Sequence, residues 1–176
     1  MTDSLSRPDL EHANGAEVRT AVRTGRWRGA THGLARGFVQ ANLAIVPQSV
    51  ADEFQQFCKA NPKPCPVLGI SVPGDPEIPA IAPGSDLRTD LPGYCIYRNG
   101  QLVEETSDLL QHWRPDHVAF LLGCSNSMDE ALLAAGIPQR HLEADDGRLS
   151  VYTSAITCEP AGRFHGPDRC QHAADP

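Results

Sequence analysis

His117-Val118-Ala119-Phe120-Leu121-Leu122-Gly123-Cys124-Ser125-Asn126 is the stretch on which the fold turns. Val118 to Leu122 is an unbroken apolar run of strand length, bounded by a turn signal. Such a run reads as a buried strand. Gly123 ends it, and Cys124-Ser125-Asn126 leads away as a polar loop. Ser127 and Glu130 have capping-box spacing, which predicts a helix from about Met128 to Ala135. Gly136 and Pro138 close that helix.

Working outward, Leu43 to Val46 reads as a second short buried strand, stopped by Pro47. A helix follows, with Ser49 as its expected cap and Val50, Phe54, Phe57 and Cys58 at helical spacing. It ends before Pro62. Val67 to Val72 is a further strand, and the prolines from Pro73 to Pro83 make the next stretch a loop. Tyr94 to Arg98, Asn99-Gly100 and Gln101 to Glu104 read as a hairpin. Leu109 to Trp113 is one or two helical turns, and Leu149 to Thr153 is another strand candidate. Ala16 to Arg23 is a short helix. Gly25, Gly29, Gly33 and Gly37 form a loop that lacks the dinucleotide-binding fingerprint.

The pattern predicts an α+β (mixed α/β) fold: a mixed parallel/antiparallel sheet with flanking helices. Residues 1–15 are expected to be disordered and 16–167 to form one domain. The tail 168–176 has no strand pattern.

The 176 residues carry a net charge of −7, which argues against nucleic acid as a partner. No apolar run is long enough to cross a membrane, and the N-terminus lacks the apolar core of a secretory signal. A cytoplasmic chain acting on a small molecule is the expectation. Six cysteines form no Cys-x-x-Cys pair, so reduced thiols are expected and a structural zinc site is not.

Three segments hold candidate chemistry. Three prolines in Asn61-Pro62-Lys63-Pro64-Cys65-Pro66 make a stiff extended loop carrying one amide, one ammonium and one thiol. Lys63 suits an anion and Asn61 a carbonyl. The step at Cys124-Ser125 places a thiol and a hydroxyl at an expected helix start, where free N–H groups favour an anion and lower a thiol pKa. In Asp86-Leu87-Arg88-Thr89-Asp90, Arg88 offers a planar fork for a carboxylate. Asp86 and Asp90 suit either a base or an ion pair with Arg88. His141 and Glu143, two apart, are a further acid/base pair if extended. His32, His112, His117 and His165 receive no role.

Read in order, Gly37-Phe38-Val39-Gln40-Ala41-Asn42-Leu43-Ala44-Ile45-Val46-Pro47, Phe57-Cys58, Asn61 to Pro66, Asp86 to Asp90, Phe120 to Ser125 and Pro160-Ala161-Gly162 resemble the hydro-lyase family that includes D-glutamate cyclase. The resemblance spans about Ala16 to Pro167. It implies dehydrative cyclisation of D-glutamate to 5-oxo-D-proline, or a related reaction on a small amino or carboxylic acid.

The roles follow from the chemistry of that reaction. Arg88 anchors the α-carboxylate, and Asp90, with Asp86 as alternate, takes a proton from the amine. Lys63 and the N–H groups around Cys124 and Ser125 stabilise the developing oxyanion. Asn42 and Asn61, with Gln40 beside them, orient the substrate. No cofactor is expected, although a divalent cation could stand in for Lys63. The competing readings are a non-catalytic small-acid binder and an inactive shortened chain.

Two departures from the family pattern stand out. Thr153-Ser154-Ala155 follows Tyr152 where the family carries Arg-Thr-Asn. After Gly166-Pro167 the family continues with an apolar strand, whereas this chain has Asp168 to Pro176. A C-terminally shortened member is therefore expected, with His117 to Leu122 left near an exposed edge that promotes homo-oligomerisation.

Overall fold

The computed structural model describes residues 4–139, 142 and 151–170. Its elements in chain order are α1 (Arg7–Glu11), α2 (Gly15–Arg23), β1 (Ala41–Pro47), α3 (Gln48–Ala60), β2 (Val67–Ile70), β3 (Tyr94–Arg98), β4 (Gln101–Thr106), β5 (His117–Gly123), α4 (Asp129–Ala134), β6 (Tyr152–Thr157) and β7 (Pro167–Cys170). A 3-10 turn, Ser125–Met128, joins β5 to α4. The fold is α+β, as the sequence suggests.

The principal sheet has the order β1-β5-β2. Both of its ladders are antiparallel, from Ala41 opposite Gly123 to Pro47 opposite His117 on one side, and from Val67 opposite Leu122 on the other. The ladders β3-β4 and β6-β7 are antiparallel too. No parallel pairing occurs among the described residues, which departs from the expected mixed sheet. The reason is topological. β1, α3 and β2 form the crossover that would make a parallel pair, but β5 occupies the slot between the two strands. β5 is thus the centre of the sheet, not its edge. The open edges belong to β1 and β2.

The central position explains the unbroken apolar run. Ala119 and Leu121 face Ile78 and Leu87 on one side, with Leu43, Ile45, Leu68 and Trp113 packed around them. Val118 and Phe120 face the opposite side, against Ala51 and Phe54 of α3. Phe120 is 1% exposed and meets Phe54 edge-to-face at 4.9 Å. Burying each such side chain contributes about 1.5–3 kcal/mol. The proline-rich loop after β2 therefore acts as a lid over one sheet face.

The N-terminal residues are helical from Arg7, where the sequence reading expected disorder. Ser6 and Asp9 form a reciprocal cap on α1, and Asn14 and Glu17 do the same for α2. Leu10, Val18, Val22, Trp27 and Leu34 build a small core of their own. Two caps and that core hold helices that are too short to persist alone. α3 begins directly at Pro47, with no side-chain cap, so Ser49 lies inside its first turn.

The hairpin is as expected, with Asn99 at φ 51° and Gly100 at φ 75° in the turn. Leu109–Trp113 closes one turn through Trp113 N donating to Leu109 O. β7 gives part of the tail a strand, paired with β6 from Thr157 opposite Pro167 to Tyr152 opposite Cys170. Ladder hydrogen bonds define it, not an alternating side-chain pattern. No helix among the described residues is long and apolar enough to cross a membrane.

Candidate active site at one end of the sheet

Three of the segments singled out in the sequence meet where β1 begins and β5 ends. Cys124 N donates to Gln40 O at 3.0 Å, and Gly123 N donates to Pro66 O at 2.8 Å. Ser127 Oγ accepts from Gln40 N at 2.8 Å, and the Gln40 side chain donates to Leu34 O at 3.1 Å. The approach to the proline loop is tight at position 123, where a Cβ would lie 3.1 Å from the Pro66 ring and push it by a few tenths of an ångström. Asn42 is exposed on β1 beside this junction, and Lys63 is exposed on the proline loop. Cys124 and Ser125 are half-buried.

The expected helix start is weaker than its sequence suggests. α4 has only six residues, its N-cap is Met128, and no side chain caps it. Ser127, the expected cap, is spent on Gln40 instead. The polar character of this end comes from a small enclosed notch between residues 33–40 and 126–133. Asn126 and Asp129 line it and are 7% and 5% exposed. Asn126 Oδ1 and Arg36 Nε are buried there with no hydrogen-bond partner. Ala35, also in its wall, holds φ at 46° and is buried. A non-glycine residue in that region is strained, and strain of this kind concentrates at functional sites. The sequence reading missed Asn126 and Asp129. Their nearness to Cys124-Ser125 was the available signal, but nothing in the pattern marked them as buried.

The segment Asp86 to Asp90 is arranged differently from expectation. Arg88 closes its fork on Asp86, with Nε to Oδ1 and Nη2 to Oδ2 both at 2.8 Å. That pair holds the Asp86 carboxyl below the ordinary carboxylate range. The fork reserved for a substrate carboxylate is therefore occupied within the turn. Asp90 pairs with α2 instead of Arg88. Its Oδ1 receives Arg23 at 2.6 Å, and its Oδ2 lies 3.5 Å from Arg19 and accepts Asp86 N at 2.7 Å. With its side chain 1% exposed and both oxygens engaged, Asp90 clamps the N-terminal helices to the loop over the sheet. It has no free lone pair facing a substrate.

Asn61 is likewise committed. Its amide donates to Phe57 O and Glu159 O, each at 2.8 Å, and its Oδ1 accepts from Glu159 N at 2.7 Å. It terminates α3 and fastens the 158–166 loop to the proline loop. Phe54 and Phe57 reinforce this by packing on Phe164. Cys65 sits beside the buried Cys58, and burial pushes its thiol up to about 11. It is a packing thiol at neutral pH. His141 and Glu143 lie outside the described residues. Among the described residues, no group of three or more His, Cys, Asp or Glu side chains is placed to hold a metal ion.

Comparison with known proteins points the same way as the sequence motifs. Residues 118–171 match the family model described as D-glutamate cyclase. A "Putative hydro-lyase" of Azorhizobium caulinodans is 52% identical over 165 residues, 93% of this chain and 60% of that protein. A protein of the same name from Verminephrobacter eiseniae is 48% identical over 93% of this chain and 60% of its own length. Another from Rhodopseudomonas palustris is 52% identical over 86% of this chain and 55% of its own length. The chain thus spans a little over half the length of these relatives.

Proposed function

We propose that this chain, which belongs to the family of those hydro-lyases, binds a small amino dicarboxylate at the β1/β5 sheet end and promotes its dehydrative ring closure, with D-glutamate as the substrate. The observation that carries the reading is that main-chain hydrogen bonds join Gln40, the proline loop and the Cys124 loop at one sheet end, beside a polar notch lined by Gln40, Asn126 and Asp129. These segments also carry the family resemblance.

In the ring closure, the substrate nitrogen forms a bond to the side-chain carboxyl carbon and one C–O bond breaks. The two protons that the ammonium gives up leave with that oxygen as water. The reaction therefore needs a base for the ammonium and a cation or donor at the departing oxygen. Asp129, the buried carboxylate of this end, takes the base role in place of Asp90. Lys63, exposed on the proline loop that is bonded to Gly123, supplies the positive charge. Asn42 and Ser125 orient the substrate, while Gln40 positions the Cys124 loop through its main chain. Cys124 has no covalent role, because a carboxylate is a poor electrophile without prior activation.

Incubation with D-glutamate is expected to yield 5-oxoproline. Asp129→Asn should lower turnover by about a hundredfold or more in a folded protein. Asp90→Asn should instead cost about 3 kcal/mol of stability in denaturant titration, with turnover of the folded fraction kept. Absence of 5-oxoproline from the folded protein sinks the substrate assignment. Full turnover in Asp129→Asn removes Asp129 from the scheme.

A further inference from the structure

At the opposite end of the same strands lies a second concavity. It runs from the Pro47/His117 end of β1 and β5 to the β3 strand of the hairpin and has a volume of about 580 Å³. Its wall along β1 begins at Leu43, roughly 7 Å from Ala41, and extends to Pro47, roughly 20 Å away. This is room for a small organic molecule, whereas the notch at the other end is tight.

Its chemistry is unusual for an acidic chain. Arg98, Arg114, His112 and His117 line it, and among the described residues no Asp or Glu does. The whole chain carries −7. A concavity of one sign with apolar walls focuses its field on a ligand of the opposite sign. Acids stand close outside the lining: Glu104 lies 3.3 Å from His112, Asp116 lies 3.8 Å from Arg114, and Glu105 lies 3.9 Å from Cys95. The Arg114–Asp116 pair is long and exposed, so it leaves the guanidinium available. The floor is apolar, made by Leu43, Ile45 and Leu109. Tyr97 is 62% exposed at the mouth, a large aromatic surface with little packed on it.

One further observation points to a ligand. His117 Nδ1 is buried with no hydrogen-bond partner. The ring is held by Trp113, edge-on at 5.7 Å. Buried polar atoms are nearly always paired, so this orphan beside the cleft wall is a group that a bound water or ligand would satisfy. Burial lowers the His117 pKa, which favours the neutral ring, with one nitrogen to donate and one to accept.

We propose that this cleft is a second binding site, distinct from the sheet-end site, for a small carboxylic acid with an apolar or aromatic body. The carboxylate lies between Arg98 and Arg114, and the body rests on the Leu43-Ile45-Leu109 floor beside Tyr97. His117 meets a polar group of the ligand or a water bound with it.

Titration of the isotope-labelled protein with phenylacetate, followed by backbone amide NMR, tests this. Saturable shifts are expected at residues 94–98, His112 and His117. Phenylacetamide, which has the same shape without the charge, should bind about tenfold more weakly or worse. The double variant Arg98→Gln/Arg114→Gln changes exposed side chains, so it should keep a folded spectrum and lose about tenfold in phenylacetate affinity. Shifts centred on Cys124 to Ser127, equal binding of the amide, or no saturable shift overturns the proposal. Because the readout is binding at the far end, it is independent of whether D-glutamate is turned over.

Discussion

The two ends of β1 and β5 are built by different means. At the Ala41/Gly123 end, main-chain groups do most of the work. Gln40, Gly123, Cys124 and Pro66 are joined through backbone hydrogen bonds, and the notch beside them is enclosed and strained. At the Pro47/His117 end, long cationic side chains stand over an apolar floor and the concavity is open. The first arrangement positions groups tightly but depends on the surrounding fold. The second depends on charge and tolerates local change, since exposed side chains can be exchanged with little effect on stability. A reaction that needs two groups held around one bond suits the first, and capture of an anion suits the second.

This contrast can be broken at its shared centre. Phe120→Ala removes the buried ring between the two ends and should cost about 4 kcal/mol in chemical denaturation. Both D-glutamate turnover and phenylacetate binding should fall together. If only one falls, the ends do not share the sheet as a common support.

A smaller effect should separate them. Asn61→Ala leaves Glu159 N and O unpaired at the sheet-end side and should cost about 2 kcal/mol. It should lower turnover while leaving phenylacetate binding unchanged. Equal loss of both would show that the 158–166 loop supports the whole sheet.

The smallest effect concerns pH. Burial lowers the His117 pKa from 6.5, so the unfolded chain takes up this proton before the folded one. The contribution of His117 to stability is then fully present above pH 6.5 and is lost as pH falls through 6.5 toward the folded value. Denaturation of the protein and of His117→Gln on either side of pH 6.5 should show a steeper acid loss in the unsubstituted chain. Identical pH dependence would mean that His117 is not desolvated at the cleft wall.

Much of the fold was legible in the residues. The apolar run after His117, the strand before Pro47, the helix ending before Asn61 and the Asn99-Gly100 turn all appear within a residue or two of their expected places. So does the helix over Ala16 to Arg23; α1 also has a local signal, Ser6-x-x-Asp9, but a helix of five residues gives little periodicity to read. The site was harder. Asn61, Asp90 and Arg88 have side chains suited to binding a substrate, yet each is engaged by partners inside the protein. Two of those partnerships cross large stretches of chain: Asn61 with Glu159, and Asp90 with Arg23. Residue type declares what a side chain can bond. It does not declare what reaches it first.

By itself the sequence determined most of the elements, the turn chemistry and the segments carrying the family resemblance, because propensity, capping and apolar periodicity act over a few neighbouring residues. Only the tertiary structure decided that β5 enters between β1 and β2. It also decided which polar groups are consumed internally and that His112, His117, Arg98 and Arg114 share one concavity. Those outcomes depend on which distant surfaces bury each other, and burial is settled by the packed chain as a whole.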